Sequence, residues 1–426
     1  MTRATFEYLV RILKPLLERQ RTKFRDPITV EKWVAVAIWC LTTSSCYRQA
    51  KDQFGIGVST AGTAFLEVCY ALEAELLSKT VCLGTAVGTV MDGFSALGFP
   101  HCIGAIDGTH IPICAPGGSL EQYGNRKKFS SILLQGTVDH RGRFIDTEIG
   151  WNSKNHDAFV FRNSTICAAM DAGTFVPGNP CLHLDSVTVP PIVISDGAYP
   201  IRRWLVKPYG THAETEAHRN FDRALSRARN VVEHSFGRLK SRFRCLATRL
   251  NCREENVVTV VSACVILHNT CEERGHQLLG DRGDPRPVMV PPEEDAVLEQ
   301  DRSHLEEGKI VQDALSKFMY NNNSTLLRGR KRSGEAREDE QLPMVEQQQQ
   351  AQVREHVTGQ EVHDPAASVS ETVAKFEKRM GRVEKRLAVH GRYIRKLQAA
   401  DRERHSQSAN TATSALEQRF FFHMPI

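Results

Sequence analysis

Apolar residues recur at helical spacing in the first part of the chain and fall into shorter, alternating segments further on. Residues 1–80 contain few glycines or prolines, and their apolar positions share one helical face, as in Val30, Trp33, Val34, Val36, Ala37 and Trp39. Residues 100–275 alternate between strand-like and helix-like segments. The pattern therefore predicts a helical N-terminal region followed by a mixed α/β domain whose sheet is flanked by helices.

Residues 47–62 have the pattern of a helix-turn-helix. Ala50 and Phe54 would face the core, Gly55 permits the turn, and Ser59 or Thr60 can cap the next helix. Such a unit can lay its second helix in the major groove of DNA. That helix is poor in Arg, Asn and Gln, the usual readers of bases, so a purely structural helical hairpin is the alternative.

The pattern changes again after residue 275. Residues 276–368 lose their periodicity and contain proline pairs, an Asn run and a Gln run, which predicts a flexible linker. Residues 369–405 regain helical order, with a coiled-coil seam of Val373, Phe376, Met380, Val383, Leu387, His390, Ile394 and Leu397. This seam predicts a C-terminal helix that forms a homodimer or binds a partner. A solvated helix is the alternative, because Gly381 weakens the seam and a histidine interrupts it.

Composition narrows the class of protein. The chain has 426 residues and a formal net charge of +5, and its twelve cysteines include no Cys-x-x-Cys pair. Zinc ribbons need close cysteine pairs, and secreted disulfide scaffolds are usually short and denser in cysteine. We therefore expect reduced, mostly buried thiols. No run of about twenty apolar residues indicates a membrane span, and no secretion signal is evident, so we expect a protein that works inside the cell.

Three acidic residues occupy positions where a buried strand or the inner side of a helix is expected. Asp107 interrupts the apolar run 103–113, and Asp196 directly follows a short apolar strand. Glu233 lies beside the apolar residues of a segment with helical spacing. A carboxylate in such surroundings is costly unless a cation or hydrogen bonds compensate it.

The order of the predicted elements can bring these acids together. The strand with Asp107 is followed by a hairpin over 131–151, a helical segment, the strand ending at Asp196 and the helix with Glu233. Two strand acids and one helix acid can converge at a sheet edge, and oxygen ligands suit Mg²⁺ or Mn²⁺ rather than Zn²⁺. Two such ions can clamp the attacking and leaving oxygens of a phosphodiester. Alternatively, each acid caps a helix or forms a surface ion pair.

A fourth acid, Asp157, competes with Asp196 for a place in this group. Asp157 opens a helical segment, where an acid often caps backbone N–H groups. Asp196 instead ends a strand, and function on α/β sheets gathers at strand ends. We assign Asp107, Asp196 and Glu233 as catalytic acids and metal ligands, and give Asp157 an accessory role as an outer metal ligand or helix cap.

Basic residues surround these acids. Between residues 219 and 244, eight basic residues stand against two acidic ones, a net of six positive charges and more than the whole chain carries. Phosphate backbones attract such a surface without reading sequence. The expected DNA-backbone contacts are Arg126, Lys127, Lys128, Arg202, Arg203, Arg229, Arg238, Lys240 and Arg242. A separate basic cluster over 328–332 is a candidate nuclear import signal.

Four segments of this region resemble, in order, the motifs of PIF/Harbinger-type DDE transposases and of the harbinger transposase-derived nuclease family. They are residues 104–111, 155–164, 195–200 and 229–240, followed by the Leu-His-Asn of 267–269, and the likeness covers roughly 28–275. Small departures are Ser195 and Gly197, where Gly and Ser are usual, and Asp222, where Asn is usual.

This resemblance implies an RNase H-like fold, a DDE triad, a divalent metal cofactor and cleavage of DNA strands. It also implies a nuclear location and a separate Myb-like partner protein. A domesticated DNA-binding or scaffold protein that keeps the fold without transposing is the second hypothesis.

Overall fold

The computed structural model describes residues 1–21, 26–114, 130–152, 157–276 and 299–332. The chain divides into two units, Met1–Arg354 and Glu355–Ile426, and every described residue belongs to the first. The predicted C-terminal helix over 369–405 lies outside the described residues, as do Arg126, Lys127 and Lys128. The helix and its pairing therefore stay predictions.

A five-stranded mixed sheet carries the acidic residues. The strands of the chain are β1 (Cys102–Pro112), β2 (Ser131–Val138), β3 (Phe144–Asn152), β4 (Leu182–Leu184), β5 (Val187–Val189), β6 (Ile192–Ile194) and β7 (Leu205–Val206). The sheet order is β3-β2-β1-β6-β7, and β4 pairs with β5 separately. Strands β1 and β2, and β2 and β3, are antiparallel, whereas β6 runs parallel to β1 and β7 parallel to β6. The predicted hairpin over 131–151 is thus confirmed.

The central strands are buried on both faces, and β2 buries the polar residues Ser131, Gln135 and Thr137 together with its apolar ones. All eight residues of β2 are buried, as are the first five of β1 and all three of β6. Strands covered on both faces read as continuous apolar runs rather than as an alternation. An acid at the end of such a run is therefore held at the border between core and solvent.

The predicted helical N-terminal region is confirmed. It contains α1 (Arg3–Leu17), α2 (Val30–Thr43), α3 (Tyr47–Phe54), α4 (Val58–Thr80) and α5 (Val87–Ala96). The side chains of Thr2 and Thr29 accept hydrogen bonds from the backbones of α1 and α2, which fixes where these helices begin. Among the described residues no single helix has the length and apolar composition of a membrane span, although α3 and α4 together pass that test as a bent pair.

Helices α3 and α4 meet at an angle of 101°, and Gly55 makes the turn with φ +60. Much of α4 is buried, including Ala61, Phe65, Val68 and Leu72. In its first turn Val58 and Ser59 are exposed, whereas Thr60 is half-buried. DNA reading by this pair stays a prediction.

The remaining helices cover the sheet. They are α6 (Asp157–Arg162), α7 (Thr165–Asp171), α8 (Glu216–Arg242), α9 (Glu254–Glu273) and α10 (Glu299–Arg332). Helix α8 packs on β1 and β2 through one apolar face, whereas α9 is buried nearly all round and lies against α4 and β3. One hydrophobic core therefore runs from α1 to α10, and the predicted boundary between residues 80 and 100 does not separate two packed bodies.

Helix α10 corrects the predicted linker. Residues 299–332 are helical, and Val311, Leu315 and Met319 are buried against the rest of the molecule. These three residues share a helix face at a spacing of four, but polar and charged neighbours hid that short stripe in the sequence. The backbone over 328–332 belongs to this helix, so the candidate import signal does not lie in a linker. Residues 277–298 and 333–368 lie outside the described residues.

Most of the cysteines are buried, as predicted. All twelve are free, and seven of them are buried. Burial raises the pKa of the Cys40 thiol to about 11 and that of Cys252 to about 12, which keeps these side chains in the neutral thiol form at physiological pH.

Candidate active site

Asp107 and Asp196 occupy matching positions on neighbouring parallel strands. Ala105 of β1 pairs with Ile194 of β6, and each acid follows its paired residue by two positions. Neighbouring strands lie about 4.8 Å apart, so this register brings the two acids side by side at the end of β6. Both acids are partly exposed, at the border of the core.

Asp157 joins the same group from α6. A Cβ atom on Gly108 would stand 2.7 Å from Oδ1 of Asp157, so this carboxylate packs directly against the glycine. Gly108 also donates its backbone N–H to Oδ1 of Asp107, at 2.7 Å. Asp157 is therefore not merely a helix cap, because its carboxylate lies directly against the residue that follows Asp107.

Glu233 reaches the group through an arginine of the same helix. Arg229 Nη1 donates to Oδ2 of Asp107 at 3.1 Å, and Arg229 Nη2 donates to Oε1 of Glu233. Arg229 and Glu233 are one helical turn apart, so both face β1. One guanidinium thus links the strand acid to the helix acid.

The pKa of Asp107 depends on the charged groups around it. Burial, followed by Asp196 and then Asp157, raises the pKa of its carboxyl group to about 7, although Arg229 and the N–H of Gly108 act in the opposite direction. Asp196 contributes more to this rise than Asp157 does, which agrees with its matching position on the adjacent strand. Asp107 is therefore a carboxyl group that a nearby cation would strongly favour in its ionised form.

A buried tyrosine forms the floor of this cluster. Tyr199 is 1% exposed, and its hydroxyl donates to Oε1 of Gln135 at 3.5 Å. Burial and then Asp157, Asp107 and Asp196 raise the pKa of this hydroxyl, so three carboxylates stand close to one ring. Tyr199 was visible in sequence only as part of a turn, and nothing in its spacing predicted a position beneath the acids.

The donor chemistry of the cluster fits a divalent metal. Carboxylate oxygens are the ligands that Mg²⁺ and Mn²⁺ prefer, and mutual repulsion among these acids is the kind of cost that a cation relieves. Among the described residues, however, no three His, Cys, Asp or Glu side chains are arranged to hold one metal ion together. The guanidinium of Arg229 takes one oxygen of Asp107 and one of Glu233.

The sequence of this part of the chain is similar to that of known proteins. Residues 106–269 match the model of a family described as DDE superfamily endonuclease, and that range contains all four acids. The protein named "Putative nuclease HARBI1" is 29% identical in Bos taurus and 28% in Homo sapiens. Each alignment covers 68% of this chain and 80% of the relative.

The chain carries a DDE endonuclease domain and is homologous to harbinger transposase-derived nucleases. A further relative, "Protein ALP1-like" of Arabidopsis thaliana, is 24% identical over 66% of this chain and 71% of its own length. No solved structure matches the chain.

Several basic residues expected to contact DNA instead form ion pairs with acidic residues of the protein. Arg202 pairs with Asp171 at 3.3 Å, and Arg242 pairs with Glu272; each arginine side chain is only 8% exposed. The structure therefore does not support a DNA-backbone contact by these two arginines, because burial inside ion pairs leaves little of either guanidinium accessible. Their acidic partners lie about thirty residues away in sequence, so spacing could not reveal them.

Other expected DNA contacts differ in accessibility. Arg203 is exposed, whereas Arg238 also pairs with Glu272, at 3.0 Å. Lys240 is half-buried and donates to Oγ1 of Thr109 at 2.7 Å and to the carbonyl of His110 at 3.0 Å. Lys240 lies two helical turns beyond Glu233, on the side of α8 that faces the acids.

The Leu-His-Asn segment of α9 serves the architecture of the DDE domain rather than its acids. Arg242 donates to Nδ1 of His268, so the ring donates from Nε2 to the carbonyl of Gly142, at 3.0 Å. Asn269 accepts from the N–H of Phe144 and donates to the carbonyls of Phe144 and Thr80. This pair of side chains ties the β2–β3 hairpin to α9 and α4.

The loop after Asp196 is supported from outside the matched range. Lys207 donates to the carbonyl of Gly197 at 3.3 Å, and its own carbonyl accepts from Gln312 of α10 at 2.6 Å. A Cβ atom on Gly308 would stand 2.9 Å from the carbonyl carbon of Arg202. Helix α10 therefore packs directly on the backbone that follows Asp196, a contact that the sequence did not predict.

Proposed function

We propose that this protein is a divalent-metal-dependent DNA endonuclease of the transposase type, with Asp107, Asp196 and Glu233 as its catalytic acids. The observation that carries the proposal is the register of Asp107 and Asp196 on adjacent parallel strands, with Glu233 linked to Asp107 through Arg229. Asp157 is an accessory acid of the same cluster.

The sheet supports an RNase H-like fold for the DDE domain. Its order β3-β2-β1-β6-β7 places the strand with Asp107 at the centre and the strand before Asp196 beside it. Only β2 runs against the other four strands. The helix with Glu233 packs on β1, which is how an acid outside the sheet comes to face the two acids within it.

Each residue has a defined part in the proposed chemistry. Two divalent ions supply activation of a water or 3′-hydroxyl and stabilisation of the leaving oxygen. Asp107, Asp196 and Glu233 would hold these ions, and Asp157 would orient or support them. Lys240 and the exposed Arg203 would position the DNA backbone, because cationic side chains bind phosphates without reading sequence.

A surface depression lies at the C-terminal end of α8 and could receive the DNA backbone. It is lined by Lys240, Ser241, Arg244, Ala247 and Thr248, and so combines two cations with two hydroxyl groups. Phosphate groups bind such combinations through charge and hydrogen bonds. The depression begins at Lys240, two turns from Glu233, which is a suitable place for the backbone next to a cut.

Isosteric replacement of the acids tests this function. Asp107→Asn and Glu233→Gln keep side-chain shape but remove the charge that holds the metal ions. We expect neither variant to nick plasmid or excise target DNA in Mg²⁺ or Mn²⁺, while circular dichroism shows an intact fold. Full cleavage by either variant would rule out the proposed site.

We further propose that the protein acts in the nucleus, with DNA and a Myb-like protein as partners. The basic cluster of Arg328, Arg330, Lys331 and Arg332 is the candidate import signal. Alanine at all four positions is expected to reduce nuclear accumulation of the tagged protein. Unchanged accumulation would assign import to a partner.

The seam between Val373 and Leu397 is the proposed site of homodimerisation. Lysine at Met380 and Leu387 places charge in an apolar seam and is expected to lower the mass measured by light scattering. An unchanged mass would leave this segment as a solvated helix.

A second candidate function is a DNA-binding scaffold that keeps the fold without cutting. One observation favours it: Arg229 occupies oxygens of two proposed ligands. DNA binding by the wild-type chain without cleavage in Mg²⁺ or Mn²⁺ would select this function over the first.

A further inference from the structure

Arg229 pairs with two carboxylates of the protein itself, whereas an arginine that only binds DNA would point its guanidinium into solvent. Its two terminal nitrogens bond one oxygen of Asp107 and one of Glu233, and its side chain is 20% exposed. The two carboxylates are similarly accessible, at 18% and 21%. The three groups thus form one partly buried, charge-assisted bridge at the mouth of the acid cluster.

The oxygens that Arg229 bonds are those assigned to metal ions in the proposed function, on which this inference rests. A guanidinium and a divalent cation on the same carboxylates would repel each other across a few ångströms, in surroundings where screening is weak. The bridge must therefore open before Asp107 and Glu233 can hold a metal ion together. This agrees with the absence of a ready metal-ligand group among the described residues.

A released Arg229 needs another anion. The planar fork of arginine bonds phosphate in two places, as it does carboxylate. A DNA phosphate arriving at the acid cluster offers that partner within reach of the same flexible side chain. The negative charge of the phosphate also favours the incoming cations.

We infer that Arg229 is an internal counter-ion that couples metal binding to DNA binding. Without DNA it holds Asp107 and Glu233 together and competes with divalent cations for them. With DNA it transfers to a backbone phosphate and leaves both carboxylates to the metal. Metal and DNA therefore strengthen each other's binding, as thermodynamic linkage requires of two ligands coupled through one group.

Calcium binding to the full-length protein tests this coupling without a readout of activity. Ca²⁺ uses the same oxygen ligands as Mg²⁺, and its affinity is measured by isothermal titration with and without a short DNA duplex. Without DNA, Arg229→Gln is expected to bind Ca²⁺ more tightly than the wild type, by on the order of tenfold, a usual size for coupled sites. With DNA, the wild type is expected to gain affinity for Ca²⁺ and the variant to gain little.

Matched variants sharpen the test. Arg223 is exposed on the same helix and pairs with Glu216 at 2.6 Å, away from the acid cluster, so Arg223→Gln should leave the affinity for Ca²⁺ unchanged. Arg229→Lys keeps one charge but cannot bridge two carboxylates in the same way, and should give an intermediate gain. This conservative variant carries the test if Arg229→Gln does not fold.

The outcomes separate this inference from the proposed function. Ca²⁺ affinity that is unchanged or weaker in both Arg229 variants overturns the coupling. If Asp107→Asn still abolishes Ca²⁺ binding in that case, the proposed metal site stands. If Asp107→Asn leaves Ca²⁺ binding intact, the proposed metal site fails as well. An equal gain from Arg223→Gln would also overturn the inference, because it would show a general charge effect.

Discussion

The two sides of the acid cluster are built differently. Asp107 and Glu233 stand on the longest strand of the sheet, eleven residues, and on α8, with twenty-seven residues. Asp196 follows a strand of three residues, and the next strand of the sheet has two. The first side is fixed by regular backbone and core packing, whereas the second depends on a loop.

That difference shows where the position of each acid is determined. Asp107 and Glu233 lie inside the matched DDE range, and the bridge through Arg229 joins them. The loop of Asp196 is held by Lys207 and, through it, by α10, which lies beyond that range. Helix α10, outside the DDE domain, thus supports the position of Asp196, one of the three acids of the proposed triad.

The largest expected effect separates the two candidates for the second acid. Asp196→Asn should remove cleavage altogether, because it eliminates a direct metal ligand next to Asp107. Asp157→Asn should retain measurable cleavage, reduced by roughly 10–100-fold, as is typical when a supporting group is lost. Plasmid nicking in Mn²⁺ measures both. The reverse order of activities would make Asp157 the catalytic acid.

Next in size is a substitution that breaks the support of the Asp196 loop. Gly308→Ala puts a Cβ atom 2.9 Å from the backbone of Arg202, and overpacking of this kind costs about 1–3 kcal/mol. We expect a lower midpoint of thermal unfolding and weaker cleavage. Gly237→Ala on α8 is the matched control, since nothing lies within 4 Å of its added atom and alanine favours a helix by about 0.5–1 kcal/mol. Equal stability of the two variants would contradict the packing of α10 on this loop.

On the Asp107 side, His268 should make the free energy of unfolding fall at acidic pH. Burial, reinforced by Arg242 and Arg238, lowers the pKa of His268 from 6.5 to about 3. Above pH 6.5 the ring is neutral in the folded and unfolded chain, and its contribution to stability is fully present. Between pH 6.5 and 3 only the unfolded chain takes up the proton, so stability falls by up to about 1.4 kcal/mol per pH unit from this group.

Urea unfolding at pH 7.5 and 5 measures this loss. His268→Gln is expected to be less stable at pH 7.5, because it disturbs the bonds to Arg242 and Gly142. The free energy of unfolding of the variant should, however, depend less on pH than that of the wild type. The same pH dependence in both proteins would exclude His268 as the source.

The smallest expected effect distinguishes two adjacent arginines near Asp196. Arg203 is exposed, so Arg203→Gln should weaken DNA binding similarly for all sequences and lower the slope of log affinity against log salt by about 1. Arg202→Gln should instead lower stability through the lost ion pair with Asp171 and leave the slope unchanged. Fluorescence anisotropy across salt concentrations measures the slope, and a change confined to Arg202→Gln would reverse the assignment.

The sequence predicted the elements whose patterns are long or strongly apolar. The strand with Asp107, the hairpin after it, the short strand before Asp196 and the helix with Glu233 all form where expected. Each carries its signal locally, in a run of apolar residues or in helical spacing. The convergence of the acids could be anticipated from the order of these elements alone.

Features that depend on distant partners escaped sequence reasoning. The charge of Arg229 suggested a DNA contact, but its bond to Asp107, which lies 122 residues away, could not be seen in the sequence. Arg202 and Arg242 also seemed available because Asp171 and Glu272 are remote in sequence. Helix α10 was missed because only three buried apolar residues mark its inner side over 304–322, where burial is described.

Helix α9 carries a further consequence for how this protein can be divided. Fifteen of its twenty residues are buried, with α4 against one side and β3 against another. A fragment that began at β1 would leave the α4 side of this apolar rod bare to water, and such surfaces drive aggregation. We therefore expect that the sheet with the four acids cannot be expressed or recombined without the N-terminal helices. The N-terminal helices, α4 above all, cover the side of α9 that the sheet does not cover.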